Sequence, residues 1–418
     1  MASVFDPPSP GGAVLFSNGD TSYEFFQDLG TGRNGERVLL ARPRTPTGYQ
    51  GKVVLKCVAL PEEPLPEEYQ RTRARLEEEV RLAQYLQHPN IARVHGLFEM
   101  KHGLCAAMEC VEGFTLDSLL SIAQVRGRYF SESFVLYVGA EVAAALAYAH
   151  TRTDDAGAPL GIVNRDVNPT RIRLRPGGGV ALTDFGVAFS RLGGRVATTL
   201  PRPPGDAIYA APEALLGETT DARADLFSLG LTLLEFATGR HLYDPGDSLV
   251  EEDDSRLLRE KVLAASVTVM EVPQPAFVED AVRHAMAFRV KDVERATFGL
   301  SKPLRTLLHK LLRREKGERI ATAAALEAEL RALLASREPY NGTDAVKEVQ
   351  QALLEGGEAL EELDLLEEDE GGISPAFPPL GPDDIRTEPR PLSSADETPT
   401  EPGLSALRVA EGDPPFDS

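Results

Sequence analysis

A few groups in this chain have types and spacings suited to handling phosphate. Gly30-Thr31-Gly32-Arg33-Asn34-Gly35 is a G-x-G-x-x-G run. Small residues there let backbone N–H groups approach a charged ligand, and the run lies between two strand-like pieces rather than between a strand and a helix. Lys56 ends the β-branched stretch Val53-Val54-Leu55, and Glu79 follows on a helical pattern nine residues before His88. A buried lysine–glutamate pair fixes a cation beside phosphate oxygens and accounts for both positions. Further on come Asn164-Arg165-Asp166 and Asp184-Phe185-Gly186, with the two aspartates eighteen residues apart. Ala211-Pro212-Glu213, Asp225 and Arg319 complete an ordered series. Each triplet alone is close to chance, but the series with these gaps is not.

The elements that must position these groups follow from periodicity. Val38-Leu39-Leu40 and Lys52 to Val58 alternate and branch as strands do, as do Ile91 to Glu99 and Leu104 to Val111. Pro66 opens a helical pattern that places Leu76, Val80, Ala83 and Leu86 on one face, and His88-Pro89-Asn90 stops it. Beyond Leu116 the chain turns helical, with long apolar helices over Phe134 to His150 and Arg223 to Gly239, then Lys302 to Arg314 and Ala321 to Ser336. A small β-rich lobe followed by a larger helical one is an α+β arrangement. Asp244 to Leu300 is longer and more polar than a simple connection requires.

The 418 residues suffice for one large two-lobed domain with a tail. Of the net charge of −21, residues 338–418 hold −17, from 21 acidic and 4 basic residues. That acidity argues against nucleic acid and anionic membrane as partners. Cys57, Cys105 and Cys110 have no metal spacing and read as buried thiols of a reducing compartment. No run reaches the roughly 18 apolar residues of a membrane span; Ser133 to His150 is interrupted by Glu141. No basic-then-apolar leader pattern is present either, so a cytoplasmic location is expected. The expected organisation is a flexible leader over 1–22 and a domain over 23–337, its small lobe spanning 23–110 and its large lobe 111–337. An acidic Pro-rich tail follows over 338–418, disordered from Gly371, with a short helix over 344–366.

The ordered motifs resemble the serine/threonine protein kinase superfamily, most nearly its bacterial members, over about three-quarters of the chain. The resemblance implies the two-lobed kinase fold with ATP and Mg²⁺ in the cleft and a protein substrate or partner kinase outside it. By position it implies Gly30, Gly32, Gly35, Val38 and Val54 around the nucleotide. It makes Met108 the gatekeeper and Glu109, Cys110 and Val111 the hinge. Lys56 contacts the α/β-phosphates, Glu79 holds Lys56, Asp166 accepts the substrate hydroxyl proton and Asp184 binds the metal. Glu213 with Arg319, and Asp225, are structural. Arg165 would read a phosphate on the segment holding Thr198 and Thr199, with Arg191, Arg195 and Arg202 nearby.

The departures gather at the chemistry. The family histidine is Asn164, and the lysine after the catalytic aspartate is Asn168, which donates a hydrogen bond without the charge. The metal-binding asparagine is Arg171, which has no acceptor and repels a cation; it can pair with Asp184 or touch phosphate directly. Arg173 stands at the adenine floor, Val54 where a smaller residue is usual, and Arg37 where an aliphatic is usual, which suggests a loop shifted by one to Val38. Asp206 replaces a threonine, and a second carboxylate near Asp166 would raise a pKa and repel phosphate. These changes imply weak nucleotide binding and a pseudokinase, or a weakly active kinase, acting as regulator or scaffold. The alternatives are an active serine/threonine kinase and, less favoured because Ala-Pro-Glu is intact, a small-molecule phosphotransferase. Ser374, Ser393, Ser394, Thr398 and Thr400 are candidate phosphoacceptors in the tail.

Overall fold

The computed structural model describes residues 13–32, 35–60, 67–100, 103–193, 205–243, 282–285 and 287–369. Thr198, Thr199, Arg195, Arg202, most of the expected insert and the tail from residue 370 lie outside the described residues.

The small lobe is an antiparallel sheet. Its strands are β1 (Val14–Asn18), β2 (Thr21–Thr31), β3 (Arg37–Thr45), the short β4 (Gly48–Tyr49) and β5 (Val53–Ala59), with helix α1 (Glu67–Ala83) leading to β6 (Val94–Met100) and β7 (Gly103–Glu109). The strand order is β1-β2-β3-β5-β7-β6, and β4 pairs with β3. Alternation explains its two faces. Leu39, Ala41, Leu55, Cys57, Cys105 and Ala107 bury one face. The other meets α1 through Val58, Leu104, Ala106 and Met108.

Two expectations change here. Residues 13–22 are not leader, because Phe16 pairs with Tyr23 across β1 and β2 and their rings stack at 4.5 Å. Cys57 and Cys105 are not thiols: they are register partners on β5 and β7, both fully buried, and form a disulfide. Side chains directly opposite on adjacent strands are close enough to join. Only Cys110 is a free thiol.

The large lobe begins with β8 (Phe114–Thr115), α2 (Leu116–Val125) and α3 (Glu132–His150). Ser131 caps α3 by accepting from the Phe134 N–H. Nearly every side chain of α3 is apolar and buried, so it forms the centre of the lobe. Among the described residues it is also the one helix long and apolar enough to cross a membrane by length and composition, though most of it is buried. The strands β9 (Ile172–Leu174) and β10 (Val180–Leu182) follow, then α4 (Pro212–Leu215), α5 (Arg223–Thr238), α6 (Val290–Ala296), α7 (Lys302–Leu311) and α8 (Ala323–Ala335). Gly239 ends α5 in the left-handed region at φ 66°, where Cβ is disfavoured.

A last helix, α9 (Gly342–Asp369), starts and ends beyond the expected 344–366. It does not begin as a separate tail. Ala345, Val349 and Ala352 recur at helical spacing and are buried in the large-lobe core. Glu348 accepts from the Ser131 N–H at 2.6 Å, and Glu355 pairs with Arg126 and Arg128. At its start Gly342 meets the β9–β10 turn so closely that a Cβ on Gly178 would lie 2.2 Å from the Gly342 carbonyl. The large lobe therefore extends past residue 337.

Two outcomes are expected. Alkylating the unfolded, unreduced chain should label one cysteine, Cys110; three labelled cysteines would show that Cys57 and Cys105 are thiols. Val349→Asp should cost about 2–4 kcal/mol in urea unfolding, since it buries an unpaired charge. An unchanged midpoint would show that α9 is not docked.

Candidate active site

Between the sheet and the large lobe lies a cavity of about 430 Å³. Leu29, Val38, Val54, Met108 and Val111 are among its apolar lining, while Lys56, Arg171 and Asp184 stand at its charged end. Val38 is opposite Lys56 in the β3–β5 register, so alternation turns Arg37 away, and Arg37 pairs with Asp28 instead. Val38 thus faces the cavity and Arg37 does not. Gly30 and Gly35 sit at φ 93° and 88°, which the turn between β2 and β3 requires of glycine.

Lys56 Nζ lies 2.8 and 3.1 Å from the two Glu79 carboxylate oxygens and 2.9 Å from Asp184 Oδ1. Burial presses the ammonium toward neutrality, but Asp184, Glu79 and Glu36 outweigh it and hold the proton more tightly than usual. Burial also opposes ionisation of Asp184, yet Lys56 and Arg171 keep its carboxyl well below the ordinary range. For Glu79, burial wins over Lys56 and keeps the carboxyl above its ordinary value.

The loop carrying Asp166 is held from below by Asp225 on α5. Its carboxylate accepts the backbone N–H groups of Asn164 and Arg165, each at 2.8 Å, and meets His150 Nε2 at 2.8 Å. These bonds fix Arg165 at φ 67°, a strained value for a residue with Cβ. The Arg165 guanidinium lies 4.8 Å over the Phe189 ring. Asn164 ties the two aspartates together: Oδ1 accepts the Asp166 N–H at 3.0 Å, and Nδ2 donates to the Asp184 carbonyl at 3.2 Å. Deeper in the lobe, Arg319 makes a two-pronged pair with Glu213 at 2.6 and 2.7 Å.

Arg171 is buried between the two aspartates. Its Nε donates to Asp166 Oδ2 at 2.7 Å, and its Nη1 lies 3.2 Å from Asp184 Oδ2. Its own backbone is pinned, because its carbonyl accepts from both Thr183 N–H and Thr183 Oγ1. Asn168 donates to the other Asp166 oxygen, Oδ1, at 2.9 Å.

Asp206 reaches Asp166 through its main chain: its backbone N–H donates to Asp166 Oδ1 at 3.0 Å, and its carboxylate accepts from Ile208 N at the turn 207–209. Arg173 lines the cavity, donates to the Gly113 carbonyl at 2.7 Å and has its pKa lowered by burial. Beside the hinge, Arg175 pairs with Glu109.

Glu36 went unnoticed in the motifs. It is 4% exposed, and its carboxyl lies where a Cβ on Gly32 would sit, 2.4 Å away.

The comparisons with known proteins agree with this geometry. A family model described as the protein kinase domain matches residues 23–330. This chain belongs to the protein kinase family. Tyrosine-protein kinase MasK of Myxococcus xanthus is 38% identical over 165 residues, 38% of this chain and 25% of that protein. Serine/threonine-protein kinase PknF of Mycobacterium tuberculosis is 33% identical over 223 residues, 52% of this chain and 43% of its own length. Serine/threonine-protein kinase PrkC of Bacillus subtilis is 31% identical over 176 residues, 42% and 25% respectively. The matched stretches span from 25% to 43% of the length of these relatives.

The family implies ATP and a divalent metal, and the two fit differently. The apolar end of the cavity, walled by Val38, Val54 and Met108, suits a flat base, although Arg173 stands on its floor. The metal does not fit. Asp184 is engaged by two cations, and Arg171, which has no acceptor, holds the place between the carboxylates.

Removing the bridge should be costly. Arg171→Leu leaves Asp166 and Asp184 facing each other with less positive charge, and we expect a loss of about 3–5 kcal/mol in denaturant unfolding. A variant as stable as the wild type would show that the bridge compensates nothing.

Proposed function

We propose that this chain is a pseudokinase-like regulator: a protein kinase fold that signals through protein contacts, with phosphoryl transfer absent or strongly reduced. The observation that carries it is the Arg171 bridge. The carboxylate that would take the substrate proton, Asp166, and the one that would hold the metal, Asp184, are both paired to a single fixed cation. A base whose lone pairs are engaged by Arg171, Asn168 and the Asp206 N–H is poorly placed to accept a proton.

In this reading Gly30, Gly32, Gly35, Val38, Val54, Met108, Glu109 and Val111 surround a nucleotide, with Lys56 and Glu79 at its phosphates. Asn164 and Asn168 keep the loop rigid without the charge that transfer requires. Partners are other proteins, a substrate or a partner kinase. The acidic segment beyond the described residues serves as a docking arm, with Thr198 and Thr199 as regulatory phosphoacceptors.

A second reading, an active serine/threonine kinase, draws on one specific observation. The Lys56–Glu79 pair is formed at 2.8 Å and Lys56 also reaches Asp184, as transfer requires.

The two separate in a labelled-ATP assay with the full chain and magnesium. We expect label no higher than in Asp166→Ala. Incorporation that disappears in Asp166→Ala would establish the active kinase instead. Arg171→Asn combined with Arg173→Leu should raise label or nucleotide affinity roughly tenfold or more, the size of one restored electrostatic group. No change in either would refute the part given to these two arginines.

A further inference from the structure

The hinge end of the cleft carries positive charge among apolar walls. Arg173 rises from β9 opposite Thr115 on β8, lines the cavity and donates to the Gly113 carbonyl at 2.7 Å. Lys52, one residue ahead of β5, lines the same end and holds its ammonium 4.4 Å over the Phe26 ring. Cys110 lies within reach of both: burial raises its pKa, and the charges of Arg173 and Lys52 oppose that rise. The carboxylates at this end are directed elsewhere. Glu109 is paired with Arg175 and accepts the Arg93 N–H at 3.0 Å, and Glu112 is exposed to solvent. Leu29, Leu40, Val54 and Val111 supply apolar wall around the two cations. A guanidinium keeps its proton at any ordinary pH. Burial works against the Arg173 charge, and an anion entering the cavity relieves that cost.

We propose that the hinge end of the cleft selects a planar aromatic ring carrying negative charge, an aromatic carboxylate or an ionised oxopurine, over a neutral ring such as adenine. Lys52 belongs to the small lobe and Arg173 to the large one, so a ring held between the lobes meets a cation from each. The apolar walls take the faces of a flat ring. The guanidinium, itself planar, stacks on such a face or grips an ionised edge with two donors. A neutral ring gains the packing and the stacking without the charge. This choice of ligand departs from the adenine that the family implies; it goes beyond the regulator reading and does not rest on it.

The test compares matched pairs on the full, unreduced chain by calorimetry: naphthoate against naphthamide, and xanthosine, whose base is ionised in mildly alkaline buffer, against adenosine. The anionic member of at least one pair should bind about tenfold tighter or more, each tenfold being 1.4 kcal/mol. It should also slow alkylation of Cys110, the free thiol, which lines the same end. Selection in the naphthyl pair alone identifies a free aromatic acid, and selection in the nucleoside pair alone identifies an ionised base. Arg173→Leu should abolish the preference, and Lys52→Gln should reduce it. Equal binding within both pairs, preference for the neutral members, or anion binding that leaves Cys110 unprotected overturns the proposal whether or not the variants fold. So does a folded Arg173→Leu chain that keeps the preference. Label incorporation decides the regulator reading and does not bear on this selection, so the two fail separately.

Discussion

Two carboxylates buried in one cleft cannot remain ionised without positive charge between them. Asp166 and Asp184 meet this constraint through Arg171, a residue of the same loop. The guanidinium that lies between them belongs to the chain itself and is in place with no ligand bound. Much of the rest serves to keep that guanidinium in place: Thr183 on its carbonyl, Asn164 between the aspartates, and Asp225 under the loop.

The small lobe shows a similar economy. Lys56 balances Glu79 and Asp184 together, so one ammonium joins β5, α1 and the Asp184 segment. Val38, not Arg37, faces the cavity, because Val38 is the register partner of Lys56 on β5.

Much of this was legible in the residues. Lys56 and Glu79 were readable as a pair because a strand lysine and a helix glutamate, both ending up buried, need each other. The Asp184 half of the Arg171 bridge was readable from charge alone. The Asp166 half was not, since it depends on the side chain bending back along its own loop. The Asp206 contact was not legible from its side chain, because the N–H, common to every residue but proline, makes it. The cysteines and α9 were misjudged for a different reason. A disulfide depends on strand register and a docked helix on the surface it meets, and neither is local in sequence. The acidic composition beyond residue 338 averaged an ordered segment together with the residues after it.

The contact between Gly342 and Gly178 gives the end of the chain a hold on its centre. Gly178 closes the turn between β9 and β10, and β9 begins immediately after Arg171 and carries Arg173. Backbone touches backbone there, with no side chain to flex and absorb a displacement. The start of α9 therefore bears directly on the turn that closes the strand carrying Arg173. Residues more than 160 positions apart in sequence are, mechanically, neighbours.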